Sequence, residues 1–189
     1  IFIEENHTTS TNSSNTTLPP ALNYDDIIIN EILPNPQGLD TEDMPDGEWV
    51  ELYNEGESVD VHGLEICDKE WNCVLIDGNH TLSSTLLGTR QYLTVYMNGR
   101  SLLNNAGTER IWLISEGNIL DEVLYEGSKD GSSWSLLDEQ WALTKPTPGG
   151  ENREPAKQQQ DVVLNTSRVL VKKISLGKDN ATHFGETLD

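Results

Sequence analysis

Ile27-Ile28-Ile29-Asn30-Glu31-Ile32-Leu33-Pro34-Asn35-Pro36 and Glu48-Trp49-Val50-Glu51-Leu52-Tyr53-Asn54 decide the fold class. Within them apolar and polar residues alternate with a period of two, as in strands buried on one face. Each run stops at turn chemistry, Pro34-Asn35-Pro36 and Asn54-Glu55-Gly56. Proline lacks a ladder donor and glycine accepts positive φ. The same punctuation recurs outward from these runs. Strands are expected at 27–33, 48–54, 63–67, 73–76, 91–96, 109–114, 119–125 and 133–137, with further turns at 77–79, 97–99, 116–118 and 129–131. The pair 109–114 and 119–125 reads as a hairpin, with Ile111, Leu113, Ile119, Val123 and Tyr125 as expected inward positions. Many short strands without a 3.6-residue period predict an all-β sandwich.

The 189 residues divide by composition. Residues 1–24 form a Ser/Thr/Asn-rich linker ending in Leu18-Pro19-Pro20, too poor in apolar groups to order itself. Residues 25–152 carry all five tryptophans and the strand pattern, and are the expected domain. Residues 153–161 read as a polar linker. Residues 162–189 return to apolar patterning, with Val169-Leu170-Val171-Lys172-Lys173-Ile174-Ser175-Leu176 as an expected first strand of a second β-domain cut short. One or two strands cannot bury a core alone, so the chain is expected to be a piece of a longer polypeptide.

Net charge is −20, and residues 25–152 carry most of it: 25 Asp and Glu against 6 Lys and Arg, a net of −19. Nucleic-acid binding rests on Lys and Arg neutralising phosphates, so this domain is expected not to bind DNA or RNA. Anionic membrane surfaces are disfavoured for the same reason, and no apolar run approaches the length of a membrane-spanning helix. The plain expectation is a soluble, self-repelling surface.

Cys67 and Cys73 flank an expected hairpin turn, close enough for a disulfide, with two free thiols as the alternative. Zinc would need further ligands, and His7, His62, His80 and His183 stand at no ligand spacing from the cysteines. Asn6, Asn12, Asn15, Asn79, Asn165 and Asn180 each head an Asn-X-Ser/Thr sequon and are candidate glycosylation sites. Sequons and the cysteine pair together point to an extracellular or cell-surface location.

No catalytic set emerges. Glu31, Glu48 and Glu51 could be paired catalytic carboxylates, but are expected to cap strands or face the surface. His62 and His80 have no nucleophile motif beside them. The long acidic loop 37–47 offers Asp40, Glu42, Asp43 and Asp46 as candidate calcium ligands, since calcium takes clustered oxygen donors. Its spacing departs from an EF-hand, and a solvated acidic loop is the alternative. Trp49, Trp112, Trp134 and Trp141 could line a sugar- or peptide-binding face or fill the core.

Taken in order, Asn30-Glu31, Glu48 to Asn54, Gly63 to Asp68, Asn105 to Leu113, Leu120 to Tyr125, Ser133-Trp134-Ser135, Trp141, Pro146-Thr147-Pro148-Gly149 and Asn152 resemble a lamin tail domain over residues 25–152. The resemblance implies an immunoglobulin-like β-sandwich that binds or positions other molecules and performs no chemistry. Leu64 departs from the tryptophan many members place there, and the cysteine pair departs from nuclear lamins. The chain therefore looks like the prokaryotic, secreted branch. It is expected to be a non-enzymatic tethering or adhesion module without a cofactor, facing a protein or cell-surface partner. An accessory domain of a secreted hydrolase or nuclease is the alternative.

Overall fold

The computed structural model describes residues 22–154. The linker expected at 1–24 lies almost wholly outside the described residues, as do the segments expected at 153–161 and 162–189 apart from residues 153 and 154.

Among the described residues eleven strands follow one another: β1 Ile27–Asn35, β2 Trp49–Asn54, β3 Val59–Asp60, β4 Glu65–Cys67, β5 Cys73–Leu75, β6 Leu86–Leu87, β7 Tyr92–Tyr96, β8 Thr108–Ser115, β9 Asn118–Glu126, β10 Ser132–Leu137 and β11 Gln140–Thr144. All pairings are antiparallel. A five-stranded sheet runs β11-β10-β1-β2-β7, a four-stranded sheet runs β5-β4-β8-β9, and β3 pairs with β6. This is an all-β, immunoglobulin-like sandwich. Among the described residues no helix is long and apolar enough to cross a membrane.

The core lies between the two larger sheets. Ile29, Ile32, Val50, Leu52 and Val95 come from one side, and Ile66, Val74, Ile111, Leu113 and Val123 from the other. Alternation puts them there, because each strand sends every second side chain inward. Leu64 is buried in the same core.

The β8–β9 hairpin corrects one expectation. Ile111, Leu113, Val123 and Tyr125 are buried, but Ile119 is 51% exposed. Leu113 pairs with Asp121 while Ile114 pairs with Ile119, so the register shifts there. An extra residue in one strand reverses which face the following side chains take. Leu120 takes the place against the core instead.

Candidate functional site

Four glutamates of the described residues have no exposed surface: Glu31, Glu48, Glu51 and Glu109. The first three were expected to cap strands or face solvent, and the structure corrects this. A buried carboxylate persists only where hydrogen bonds replace its lost water, and each of these holds a distant loop. Glu48 accepts the backbone N–H groups of Leu102 at 2.7 Å and Leu103 at 2.9 Å. Glu109 accepts the N–H of Lys69 at 3.1 Å and the side-chain amide of Asn104.

Glu31 and Glu51 are cross-strand partners on β1 and β2 and form the centre of a clasp. Glu31 accepts Ser133 Oγ at 2.5 Å, Ser135 Oγ at 3.0 Å and Thr147 Oγ1 at 3.0 Å, together with the N–H of Thr147. Glu51 accepts Asn30 Nδ2 at 2.9 Å, Thr94 Oγ1 at 3.1 Å and the N–H of Gly149. Asn152 closes the arrangement by donating to the carbonyls of Asn30 and Leu136, both at 2.9 Å. The segment after β11 is thereby stitched across the outer face of the five-stranded sheet. Gly149 takes φ 77°, a conformation that suits glycine as the chain turns past Glu51.

Burial pushes the carboxyl groups of Glu48 and Glu51 up to about 7. The N–H groups of Leu103 and Leu102 pull Glu48 back, as the Gly149 N–H and Asn30 do for Glu51, but desolvation prevails. In an open cleft such values would suit acid–base chemistry. Here the oxygens point at loop donors.

The histidines stand apart from this network. His80 Nδ1 lies 2.8 Å from Asp77 Oδ1, and His62 is exposed. Among the described hydrogen bonds neither imidazole meets a hydroxyl or thiol.

The acidic loop does not gather its carboxylates. Among the described residues no three His, Cys, Asp or Glu side chains come together to hold a metal. The loop closes on its own backbone, through Glu42 N to Leu39 O and Asp46 N to Asp43 O, and Glu48 N reaches Asp40 O. Asp40 instead accepts the Asn105 amide at 2.8 Å, while Glu42, Asp43 and Asp46 face water. The candidate calcium ligands Asp40, Glu42, Asp43 and Asp46 are therefore not brought together in this structure, where the loop is closed by its own backbone bonds.

Of the two roles open to Trp49, Trp112, Trp134 and Trp141, a shared binding face or the core, they take the second. Trp49 packs with Leu33 and Tyr96, Trp112 with Cys67 and Ile114, and Trp134 and Trp141 against the main core. The tryptophan that reaches solvent is Trp71, 60% exposed. It sits between Cys67 and Cys73, which are joined at 1.99 Å between sulfurs. Its ring stacks on Trp112 at 4.4 Å and 17°. Sequence reading passed over Trp71. The available signal was a tryptophan inside a short loop between two cysteines, where no strand could bury it.

A family model, the Lamin Tail Domain, matches residues 20–127. The chain belongs to that family. The matched span covers more than half of the chain and ends soon after β9. Lamin tail domains are non-catalytic immunoglobulin-like domains. No curated protein and no solved structure matches the chain. Of the candidate glycosylation sites, Asn79 lies on an exposed turn, and Asn6, Asn12, Asn15, Asn165 and Asn180 lie outside the described residues.

Proposed function

We propose that this lamin tail domain is a non-catalytic module that tethers or displays a larger secreted or cell-surface protein by binding a protein partner. The observation that carries the reading is the exposed apolar surface of the four-stranded sheet, where Trp71, Leu75, Ile119 and Leu124 are each about half exposed or more. Exposed apolar side chains grouped on one face mark interaction surfaces. The buried carboxylates, in contrast, are used up in holding loops, which is the work of a scaffold. The joined cysteines and the exposed Asn79 sequon favour an oxidising, extracytoplasmic setting.

Antibodies against the folded domain test the location. Intact, unpermeabilised cells of the source, or their medium, should carry the antigen, with Cys67 and Cys73 joined in non-reducing mass spectrometry. Antigen found only after permeabilisation, with both thiols free, would overturn the reading.

A further inference from the structure

Strand pairing fixes which side chains share the outward face of the β5-β4-β8-β9 sheet. Leu75 pairs with Glu65, Glu65 with Ile114, and Ile114 with Ile119, making one row across all four strands. The next row is Cys73, Cys67, Trp112 and Glu122, and beyond it Arg110 pairs with Leu124. Paired residues of an antiparallel sheet point the same way. The rows therefore set Leu75, Ile119 and Leu124 as exposed apolar groups on one face about three strand spacings wide, roughly 14 Å, around buried Ile114, Cys67 and Trp112, with Glu65, Glu122 and Arg110 among them. Nine large hydrophobic side chains are exposed among the described residues, and four of them, Trp71, Leu75, Ile119 and Leu124, belong to this face and its overhanging loop.

Trp71 is presented by a loop with little freedom. Asp68 Oδ1 accepts the N–H groups of Glu70 and Asn72 at 2.9 and 2.7 Å, and buried Glu109 accepts that of Lys69. The disulfide closes the loop, and Trp112 supports one face of the indole. A rigid, half-exposed aromatic is the usual form of an interface anchor, because its ordering cost is met before the partner arrives.

We propose that this face is a docking surface for a basic polypeptide partner, whose apolar side chains seat between Trp71 and Leu124 and whose Lys or Arg groups meet Glu65 within the face and the rim carboxylates Glu70 and Glu126. The inference rests on reading the domain as a binding module. Three observations select this occupant. The aliphatic groups Leu75, Ile119 and Leu124 match protein side chains, whereas a sugar platform would be aromatic and polar. The three nearby cations are already engaged: Lys69 Nζ donates to the Thr108 carbonyl at 2.8 Å and lies 3.8 Å from Glu70, Arg100 Nη1 donates to the Cys73 carbonyl at 2.8 Å, and Arg110 pairs with Glu122 at 2.9 Å while lying over Trp112. A nucleic acid would find base-stacking surface without phosphate partners. A second copy would set Glu65, Glu70 and Glu126 against their own equivalents on a domain of net charge −19, and like charges oppose association. A basic surface gains from both the apolar groups and the carboxylates.

The test titrates the full, isotope-labelled chain with a synthetic strand peptide alternating Lys and Val around a central Trp, and with its Glu-for-Lys counterpart. The expected result is that the lysine peptide shifts the Trp71 indole and the amides of Leu75, Ile119 and Leu124, that the glutamate peptide does not, and that added salt weakens the response. Leu124→Ser changes an exposed position and should leave melting unchanged, Trp71→Ser, which also removes the stack on Trp112, should keep a cooperative melt, and each should weaken binding about tenfold. Equal response to both peptides, shifts on another face, or binding indifferent to these variants would overturn the proposal. So would a dimer in sedimentation equilibrium that Leu124→Ser dissociates, since the occupant would then be a second copy. Failure of the peptide arm with surface-located antigen removes this proposal alone, whereas antigen confined inside the cell removes the underlying reading.

Discussion

Glu51 and Gly149 lie 98 residues apart in the chain and meet in one hydrogen bond, in which the Gly149 N–H donates to Glu51 Oε2 at 2.5 Å. The bond belongs to the clasp that also ties Thr147 to Glu31 and Asn152 to Asn30. Its donors come from four separate stretches of chain, on β1, β7, β10 and the segment after β11, so the clasp forms only when the five-stranded sheet is complete.

Removing the central acceptor should therefore be costly. Glu31→Ala strips Ser133, Ser135 and Thr147 of their shared partner in a site without water access. Each donor left unsatisfied costs about 1–3 kcal/mol, and the expected loss in denaturant unfolding is about 3–5 kcal/mol, the range for breaking a buried charged network. Glu116→Ala, in an exposed turn, should stay within about 0.5 kcal/mol. Equal effects of the two substitutions would mean that the clasp contributes nothing.

The raised carboxyls of Glu48 and Glu51 set a pH dependence. Their ordinary value is 4.5 and their folded value about 7. Between these limits the folded state binds more protons than the unfolded one, so stability falls as pH rises through the window. The stabilisation is complete below 4.5 and lost above about 7. Asp121, raised by burial, acts in the same sense, while Asp60, lowered mainly by its bond from Thr85, acts oppositely and only in more acidic solution. Melting temperature should rise on acidification from about pH 8 to about pH 5. The double variant Glu48→Gln, Glu51→Gln, which mimics the protonated pair, should flatten most of that slope. An unchanged slope would sink the assignment.

A turn can be improved. β10 and β11 join through Asp138 and Glu139, at φ 45° and 65°, with Leu137 paired to Gln140. Two residues at positive φ form the tight turn that Asn-Gly adopts with least strain. Replacing the pair by Asn-Gly should raise stability by about 1 kcal/mol, read as a higher denaturant midpoint with an unchanged slope.

The same turn explains what the sequence concealed. Strands β1, β2, β4, β5, β7, β8, β9 and β10 were legible because short apolar runs there end at turn residues. β11 was missed because neither Asp138 nor Glu139 announces a turn, and β3 and β6, two residues each, are too short to have a period. Ile119 was assigned inward because a register shift leaves no mark in the residue pattern. The glutamates were misplaced for a different reason. Burial of Glu31 depends on Ser133, Ser135 and Thr147, and no local rule connects residues more than 100 positions apart.

The domain's C-terminal limit can be settled by truncation. The family match ends at residue 127, but β10 lies between β1 and β11 in the five-stranded sheet, and Trp134 and Trp141 pack on the core. A chain stopped after Gly127 would expose the open edge of β1 and strip Glu31 of the Ser and Thr donors and of the segment that covers it. Unpaired edges and lost hydrogen bonds are both penalised. A chain ending at Glu154 keeps both strands, the clasp and the Asn152 bonds. Residues 25–154 should therefore melt cooperatively, close to the full chain, whereas residues 25–127 should yield no cooperative transition. If the shorter piece melted like the longer one, β10, β11 and the clasp would be additions to a domain already complete at β9, and the stabilising role given to Glu31 would fall with them.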